Sequence, residues 1–397
     1  MFVLKNCRLI PYLTEGFDGE TADIVVDGKY IKEILPAGKE SFCGMESVDM
    51  QGRTVLPGFF DMHCHLEFTD QDYAASLRRN AQEMLLDCLD YAKQFLKMGF
   101  TTVRDCGSDF YANVYTRDAV KRGTAAGARI ITCGKILTPS TKGNATFGNM
   151  YQEVDDPAQM MHFARKEMEN GADFLKYMVT GAVLNEGGKP GQIIATPEEI
   201  AALVKAADFL GTYVAGHCHG TEGIRQAILN GVRTIEHASY MDEECVELIV
   251  RKNCEVFTVP TLAITYTITL PEFNKDVPQE YIEKDTATIV PTINGIRMCE
   301  EAGITVGFGT DLDLYHAKLC PGLEFRARSE LGLPNEMILK QATVNCAKIA
   351  GLDDVLGTVK AGKYADLVAV DGRPDEDMSC LYRLPDYVFK EGKLFTE

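Results

Sequence analysis

The chain has 397 residues, of which 46% are hydrophobic and 25% are charged, as in an ordinary globular protein with a large buried core. Its formal net charge of −18 argues against nucleic-acid and anionic-membrane partners, because both require a basic surface. No secretory-signal pattern or uninterrupted membrane-length apolar stretch is visible. Thirteen cysteines without CxxC pairing then predict a reducing, cytoplasmic location.

Short apolar or β-branched runs alternate with helical patterns from about residue 55 to 345. The eight strand candidates are residues 54–62, 101–105, 128–133, 174–179, 212–216, 233–236, 255–260 and 304–309. Several of the helical patterns between them begin at a capping residue, such as Thr196 before Pro197. Eight alternating β and α units predict an α/β fold, a (β/α)8 TIM-like barrel over residues 56–356.

The two ends of the chain are rich in short strands and turns. Residues 1–55 contain Asp27-Gly28, which is typical of a hairpin turn, and residues 357–397 continue the same pattern. Neither end buries much apolar surface by itself. We therefore predict that residues 1–55 plus 357–397 pair into one small β-sandwich domain. The connection over residues 264–291 is expected either to cover the barrel mouth or to be an ordinary surface excursion.

Metal-binding residue types lie near the carboxyl ends of five predicted strands, which share one face of such a barrel. His63 and His65 end the first strand, and the alternation of side chains turns both to the same side. The others are Lys176 in the fourth strand, His217 after the fifth, His237 after the sixth and Asp311 after the eighth. Each residue alone is typical of packing or capping. Together they indicate a metal site, since imidazoles and carboxylates suit Zn²⁺.

These residues carry a resemblance to a known family. The motifs are Leu56-Pro57-Gly58-Phe59 with His63-Cys64-His65, Thr101-Thr102-Val103-Arg104-Asp105, Ala172-Asp173-Phe174-Leu175-Lys176, His217-Cys218-His219-Gly220, Thr234-Ile235-Glu236-His237, Val259-Pro260-Thr261-Leu262, Gly309-Thr310-Asp311 and Gly362-Lys363-Tyr364-Ala365-Asp366. The chain resembles the amidohydrolase superfamily. Its motifs are most similar to those of the imidazolonepropionase-related branch, with its Xaa-Pro and Xaa-Lys/Arg dipeptidases (metal-dependent carboxypeptidases) and ochratoxinase-like enzymes.

The resemblance implies roles for the motif residues. Two divalent ions are expected, with zinc as the predicted metal. One would bind to His63, His65 and Asp311, and the other to His217 and His237. Lys176 is expected to be carboxylated on its amine and to bridge the two ions. Asp311 would also serve as general base and then general acid. His219 is expected to stabilise the oxyanion, or else only to support the ligands.

One loop departs from the dipeptidase pattern. Dipeptidases of this branch often have a histidine after the third strand that contacts the substrate carboxylate, where this chain has Asn144 preceded by Lys142. The change indicates either a neutral surface difference or a different substrate. Residues 180–185 are expected to line the pocket. Further candidate wall residues are Tyr177, Tyr240 and Tyr266.

The sequence thus predicts a metal-dependent amidohydrolase that cleaves a small-molecule substrate, a dipeptide or an N-acyl amino acid, by metal-activated hydroxide. The chain is expected to form a homo-oligomer, as relatives commonly do. The first alternative is a cyclic amide hydrolase or heterocycle deaminase, which Lys176 disfavours because such relatives usually use one metal. The second is a non-catalytic binding barrel, which generally loses metal ligands that this chain retains.

Overall fold

The structure is a computed structural model that describes residues 1–39, 42, 44–70, 73–182, 191–252, 255–271, 273–274 and 279–396. Its strands are β1 (Phe2–Arg8), β2 (Thr14–Glu15), β3 (Thr21–Asp27), β4 (Tyr30–Pro36), β5 (Glu46–Asp49), β6 (Thr54–Pro57), β7 (Phe59–Cys64), β8 (Phe100–Asp105), β9 (Arg129–Thr132), β10 (Ile136–Thr138), β11 (Tyr151–Glu153), β12 (Leu175–Met178), β13 (Val214–Cys218), β14 (Thr234–His237), β15 (Phe257–Val259), β16 (Val359–Lys360), β17 (Leu367–Val370), β18 (Tyr387–Lys390) and β19 (Lys393–Leu394).

The helices alternate with the central strands. They are α1 (Tyr73–Leu77), α2 (Ala81–Lys97), α3 (Ala112–Lys121), α4 (Met160–Glu169), α5 (Pro197–Leu210), α6 (Thr221–Leu229), α7 (Glu243–Lys252), α8 (Leu262–Thr267), α9 (Gln279–Glu301), α10 (Leu314–Leu319), α11 (Leu323–Glu330), α12 (Asn335–Lys340) and α13 (Cys346–Ile349). Helix α5 begins with a capping box, in which Thr196 and Glu199 bond each other's backbone N–H groups. No described helix is long and apolar enough to cross a membrane.

Strands from both ends of the chain pair in one eight-stranded sheet. Its order is β19-β18-β17-β6-β1-β3-β4, with β5 paired to β1. One apolar cluster packs on this sheet and takes residues from both ends, among them Leu4, Leu367 and Phe389. The Arg8 guanidinium donates two hydrogen bonds to the Asp375 carboxylate, at 2.9 and 2.8 Å. The two ends therefore share a core and a bidentate ion pair.

The first predicted barrel strand, residues 54–62, is two strands in the structure. Strand β6 belongs to the terminal sheet, where Leu56 lies opposite Val368 of β17. Strand β7 belongs to a three-stranded sheet with β8 and β9. The chain changes sheets at Gly58, where a Cβ atom would lie 2.2 Å from the Thr101 hydroxyl. An apolar run alone does not reveal such a break.

The central strands form a six-stranded sheet of order β11-β10-β12-β13-β14-β15, and every pairing in it is parallel. Strand β10 was not predicted. The predicted eighth strand, residues 304–309, forms only the isolated parallel bridges Thr258–Val306 and Thr261–Gly309. Glycine lowers strand propensity there, and a Cβ on Gly309 would lie 2.7 Å from the His63 Cβ. The described ladders therefore do not close into one continuous barrel.

The chain forms two compact units. One comprises Met1–Asp61, Lys93–Val103 and Ala317–Glu397, and the other comprises Met62–Ala92 and Arg104–His316. The first unit thus includes residues 93–103 and 317–356, which the sequence analysis assigned to the barrel domain of residues 56–356. The composite domain of residues 1–55 plus 357–397 stays a prediction. All the predicted metal ligands lie in the second unit.

Replacing Leu367 by Ala is expected to lower the free energy of unfolding by about 2–5 kcal/mol, because it leaves a cavity in the core shared by both ends. Leu367 is 1% exposed, whereas Leu394 is 40% exposed, so Leu394→Ala is the matched control. Urea denaturation followed by circular dichroism measures both variants. Equal losses in the two variants would argue against a core built from both ends.

Candidate metal centre

The predicted metal ligands gather at the carboxyl ends of β7, β13 and β14 and at the segment after Gly309. Potential ligand atoms of His63, His237 and Asp311 all lie within 4.8 Å of one another. The same distance limit holds for His217, His219 and His237. Because parallel strands place their carboxyl ends at one edge of a sheet, residues distant in sequence meet here. His237 is shared by the two groups.

Asp311 lies close to the two histidines of β7, although it is distant from them in sequence. Its Oδ1 atom lies 3.8 Å from His63 Nε2 and 3.7 Å from His65 Nε2. Asp311 has φ of 55° and His237 has φ of 64°, a left-handed conformation that is uncommon for side-chain-bearing residues. The Asp311 N–H donates to the His63 carbonyl at 2.8 Å. This strained backbone is thus held in place beside the site.

The second ring nitrogen of each of four histidines is engaged in a hydrogen bond. The pairs are His63 Nδ1 with Glu236 Oε2 at 2.7 Å, His65 Nδ1 with the Gly107 carbonyl at 2.9 Å, His237 Nδ1 with Thr261 Oγ1 at 2.8 Å and His219 Nδ1 with Ser239 Oγ at 2.8 Å. A carbonyl can only accept, so His65 Nδ1 is the donor and, in the neutral ring, Nε2 keeps a lone pair. This is the arrangement of a metal-ligating imidazole.

Two imidazole nitrogens are buried without a hydrogen-bond partner among the described residues, His217 Nε2 and His237 Nε2. A buried polar atom in that state costs free energy unless a ligand satisfies it. His217 and His237 belong to the same group of residues with converging ligand atoms. The donor set therefore fits a metal ion that accepts imidazole nitrogen and carboxylate oxygen.

Burial keeps these imidazoles neutral. Desolvation lowers the pKa of His63 to about 3, although its hydrogen bond to Glu236 acts in the opposite direction. Desolvation also lowers the pKa of His219 to about 4. It depresses the pKa values of His65, His217 and His237 as well, with neighbouring imidazoles as a second cause. Neutral rings are the ligating form.

Lys176 lies on β12, next to β13, with its neighbour Met178 opposite His217. The side chain is 1% exposed, lines the same cavity as the histidines and forms no ion pair with any described residue. An unpaired ammonium in a buried site is costly. Carboxylation of Lys176, which the resemblance predicts, would replace that ammonium by an anionic metal ligand.

Arg104 and Glu236 hold His63 in place. Both residues belong to the family motifs, but the sequence predicted no role for either of them. Arg104 Nη2 donates to Glu236 Oε1 at 2.6 Å, and its Nε donates to the Met62 carbonyl at 2.7 Å. Burial would raise the pKa of Glu236, but the charge of Arg104 and the hydrogen bond with His63 lower it to about 2. Glu236 is therefore anionic. The available sequence signal was its position directly before His237.

A cavity of about 370 Å³ opens at the predicted metal ligands, a volume that suits a small molecule. Much of its lining is apolar and includes Phe68, Ile136, Phe147, Met150, Met178, Ala182, Ile264, Ile268 and Phe273. Helix α8 thus contributes to this wall; it overlaps the start of the segment 264–291, which was predicted either to cover the barrel mouth or to be a surface excursion. Tyr151 and His316 also line the cavity and were not predicted; nothing in their local sequence indicated it.

The predicted substrate residues lie elsewhere in the described structure. Lys142, Asn144, Tyr177, Tyr240 and Tyr266 are not among the residues that line the cavity. The Asn144 amide instead donates to the Pro139 carbonyl and to Glu153, at 3.0 and 2.8 Å. Tyr177 alternates with Lys176 along β12 and so points to the other face. Residues 183–185 of the predicted pocket loop lie outside the described residues.

Comparisons with known proteins agree with the geometry. The model of the amidohydrolase family matches residues 54–394. Ochratoxinase of Aspergillus niger is 26% identical over 375 residues, covering 86% of this chain and 75% of its own. The structure of a Xaa-Pro dipeptidase with bound methionine has a TM-score of 0.87 at 31% identity, covering 100% of both chains. A prolidase complexed with N-methylphosphonate-L-proline also has a TM-score of 0.87, at 29% identity and 99% coverage of both chains.

The family resemblance predicted from the sequence is confirmed by these matches. They imply an α/β TIM-like barrel fold and a hydrolase that acts on small-molecule amides. With a family model that spans most of its length, the chain belongs to the amidohydrolase family.

Proposed function

We propose that the protein is a binuclear metal amidohydrolase that cleaves the amide bond of a dipeptide or an N-acyl amino acid. The observation that carries this proposal is the pair of ligand groups sharing His237, with the buried Lys176 in the same cavity. The likeness to ochratoxinase and to a Xaa-Pro dipeptidase, an enzyme named for cleaving dipeptides, supports the reaction class. The cavity volume supports a substrate of dipeptide size.

His63, His65 and Asp311 would hold one ion, and His217 and His237 the other, with carboxylated Lys176 between them. The buried, unpartnered Nε2 atoms of His217 and His237 support this assignment. Zinc suits such nitrogen and oxygen ligands. Bound divalent ions lower the pKa of water and polarise a carbonyl group.

Asp311 is the proposed proton carrier. Its side chain is 23% exposed and lines the cavity, so a substrate and a water molecule can both reach it. As general base it would accept the proton of the attacking water. It would then deliver that proton to the nitrogen of the leaving amine.

His219 is proposed to donate a hydrogen bond to the carbonyl oxygen of the scissile amide. For this purpose Nε2 must carry the proton, so Nδ1 must accept from the Ser239 hydroxyl, 2.8 Å away. By distance alone His219 also belongs to a group of possible metal ligands. However, its Nε2 is not among the fully buried, unpartnered nitrogens, unlike those of His217 and His237, which supports a substrate contact.

We infer further that the two central sheets belong to one (β/α)8 barrel and that the chain ends form a small β-sandwich. Arg104 of β8 donates to Thr234 and Glu236 of β14, so the interiors of the two sheets face each other. The isolated parallel bridges at Val306 and Gly309 support an eighth barrel position there. The cytoplasmic location and the homo-oligomer stay predictions of the sequence.

The proposed reaction predicts release of an amine from dipeptides or N-acyl amino acids, measured with a substrate library. Lys176→Ala is expected to lose most of this activity, because the bridging carbamate cannot form. Acetate or another small carboxylate should partly restore it. Exposed Lys205 of α5 provides the control Lys205→Ala, which should keep wild-type activity. Hydrolysis confined to heterocyclic amides or amines would contradict the proposed substrate class.

Glu236→Gln should weaken metal binding by about 10- to 100-fold, because it removes the anion that orients the His63 imidazole. It also leaves the buried Arg104 without its counter-charge, at a cost of about 3–5 kcal/mol of stability. Chelator competition and urea denaturation measure the two effects. Glu198→Gln, at an exposed position, is the control. Unchanged metal affinity in Glu236→Gln would show that Glu236 does not position His63.

Stability of the metal-free protein should depend on pH through His219. Its pKa of about 4 lies below the ordinary value of 6.5, so the unfolded chain binds a proton that the folded chain does not. The resulting stabilisation is present above pH 6.5 and is lost as the pH falls toward 4.

Buried Glu67, with its pKa raised to about 8 by desolvation, changes stability with pH in the opposite direction. The test therefore compares how steeply the free energy of unfolding changes with pH in the variant and in the wild type. Urea denaturation from pH 7.5 to 4 in the presence of a chelator should give a smaller loss of stability for His219→Asn than for the wild type. Exposed His162 supplies the control His162→Asn. Identical slopes for His219→Asn and wild type would contradict the prediction.

A further inference from the structure

His316 is a histidine in the cavity wall that is not one of the proposed metal ligands. It lies on α10, and its Nδ1 is 2.6 Å from Oδ2 of the buried Asp313. The His316 backbone N–H donates to the other carboxylate oxygen at 2.8 Å. The ring of Phe273 packs edge-on against the imidazole, with centroids 5.0 Å apart. The imidazole is therefore held in one orientation.

Most other polar groups of the wall already have intramolecular partners. The Thr265, Thr267 and Thr292 hydroxyls donate to main-chain carbonyls within their own helical segments, at 2.7–3.0 Å. By contrast, His316 Nε2 and the Tyr151 hydroxyl have no hydrogen-bond partner within the described ranges. Of these two groups only the imidazole is held in place by a buried carboxylate on its other nitrogen.

We propose that His316, oriented by Asp313, is a specificity-determining residue that binds the carboxylate of the substrate. In the imidazolium form, Nδ1–H donates to Asp313 and Nε2–H donates to a carboxylate oxygen, both as charge-assisted hydrogen bonds. The Asp313 carboxylate lies on the Nδ1 side of the ring, and the substrate carboxylate would lie on the Nε2 side. This inference rests on the proposed amide hydrolysis and narrows its substrate class.

The rest of the lining defines the remainder of the substrate. Side chains such as Phe68, Ile264 and Ile268 present an apolar surface, which favours an amino acid with an apolar side chain. Asn144 cannot take the role of His316, because its amide is committed to Pro139 and Glu153. The substrate class is therefore an N-acyl or N-aminoacyl derivative of an apolar amino acid with a free carboxylate.

Two substrates test this assignment, N-acetyl-L-phenylalanine and N-phenethylacetamide, which differ only in the carboxylate. The wild-type holoenzyme should prefer the acid by roughly 10- to 100-fold in kcat/KM, as expected for one charged hydrogen bond. His316→Leu should lose this preference through a higher KM for the acid, so that kcat/KM falls far more for the acid than for the carboxylate-free amide. His316→Gln, which keeps a neutral donor, should be intermediate.

His162→Leu, at an exposed position of α4, is the matched control and should retain the full preference. Metal content and the midpoint of thermal unfolding verify that each variant is folded and loaded. Equal losses on both substrates, or an acid preference that survives in His316→Leu, would overturn the assignment.

Failure of the proposed hydrolysis is distinguishable from failure of this inference. If the wild type cleaves neither compound, calorimetric binding of the same two compounds to the metal-loaded protein replaces the kinetic comparison. Tighter binding of the acid that is lost in His316→Leu supports the carboxylate site. Equal affinity of the wild type for the two compounds would contradict it.

Discussion

The buried carboxylate of Glu236 lies between a guanidinium and an imidazole that come from two other strands. Arg104 on β8 supplies the positive charge and binds one carboxylate oxygen, and His63 on β7 is hydrogen-bonded to the other. One ionised group thus connects three strands through the interior and fixes the orientation of a proposed metal ligand. Because the Arg104–Glu236 pair is fully buried, loss of either partner would leave an uncompensated charge. The ligand geometry depends on this pair.

The same interior explains why the histidines are suited to ligation. Desolvation lowers their pKa values, so they are neutral at the pH where a metal competes with protons for the ring nitrogens. Hydrogen bonds at Nδ1 then direct Nε2 of His65 and His237 toward the site. The ligating form of these residues therefore depends on three features: the burial of the histidines, the hydrogen bonds at Nδ1 and the strained backbone of Asp311. A histidine isolated at the surface would have none of them.

Much of this arrangement could be predicted from the sequence, because strand alternation and the shared edge of parallel strands are local rules. They predicted that His63, His65, His217, His237 and Asp311 would lie together, and all five line one cavity in the structure. The same rules missed what depends on tertiary packing. The break at Gly58 is imposed by contact with Thr101. The role of Glu236 depends on Arg104 and His63, which are distant in sequence, and that of His316 depends on the cavity that it lines. The predicted substrate residue Asn144 is likewise occupied by neighbours in its own loop.

We propose that these side chains hold two divalent ions. Anomalous X-ray scattering from crystals of the protein expressed in metal-replete medium would locate them directly. We expect two anomalous peaks, one beside His63, His65 and Asp311 and one beside His217 and His237, with density for a carboxylated Lys176 between them. An ordered cavity without an anomalous peak, or with an unmodified lysine ammonium at that position, would contradict it.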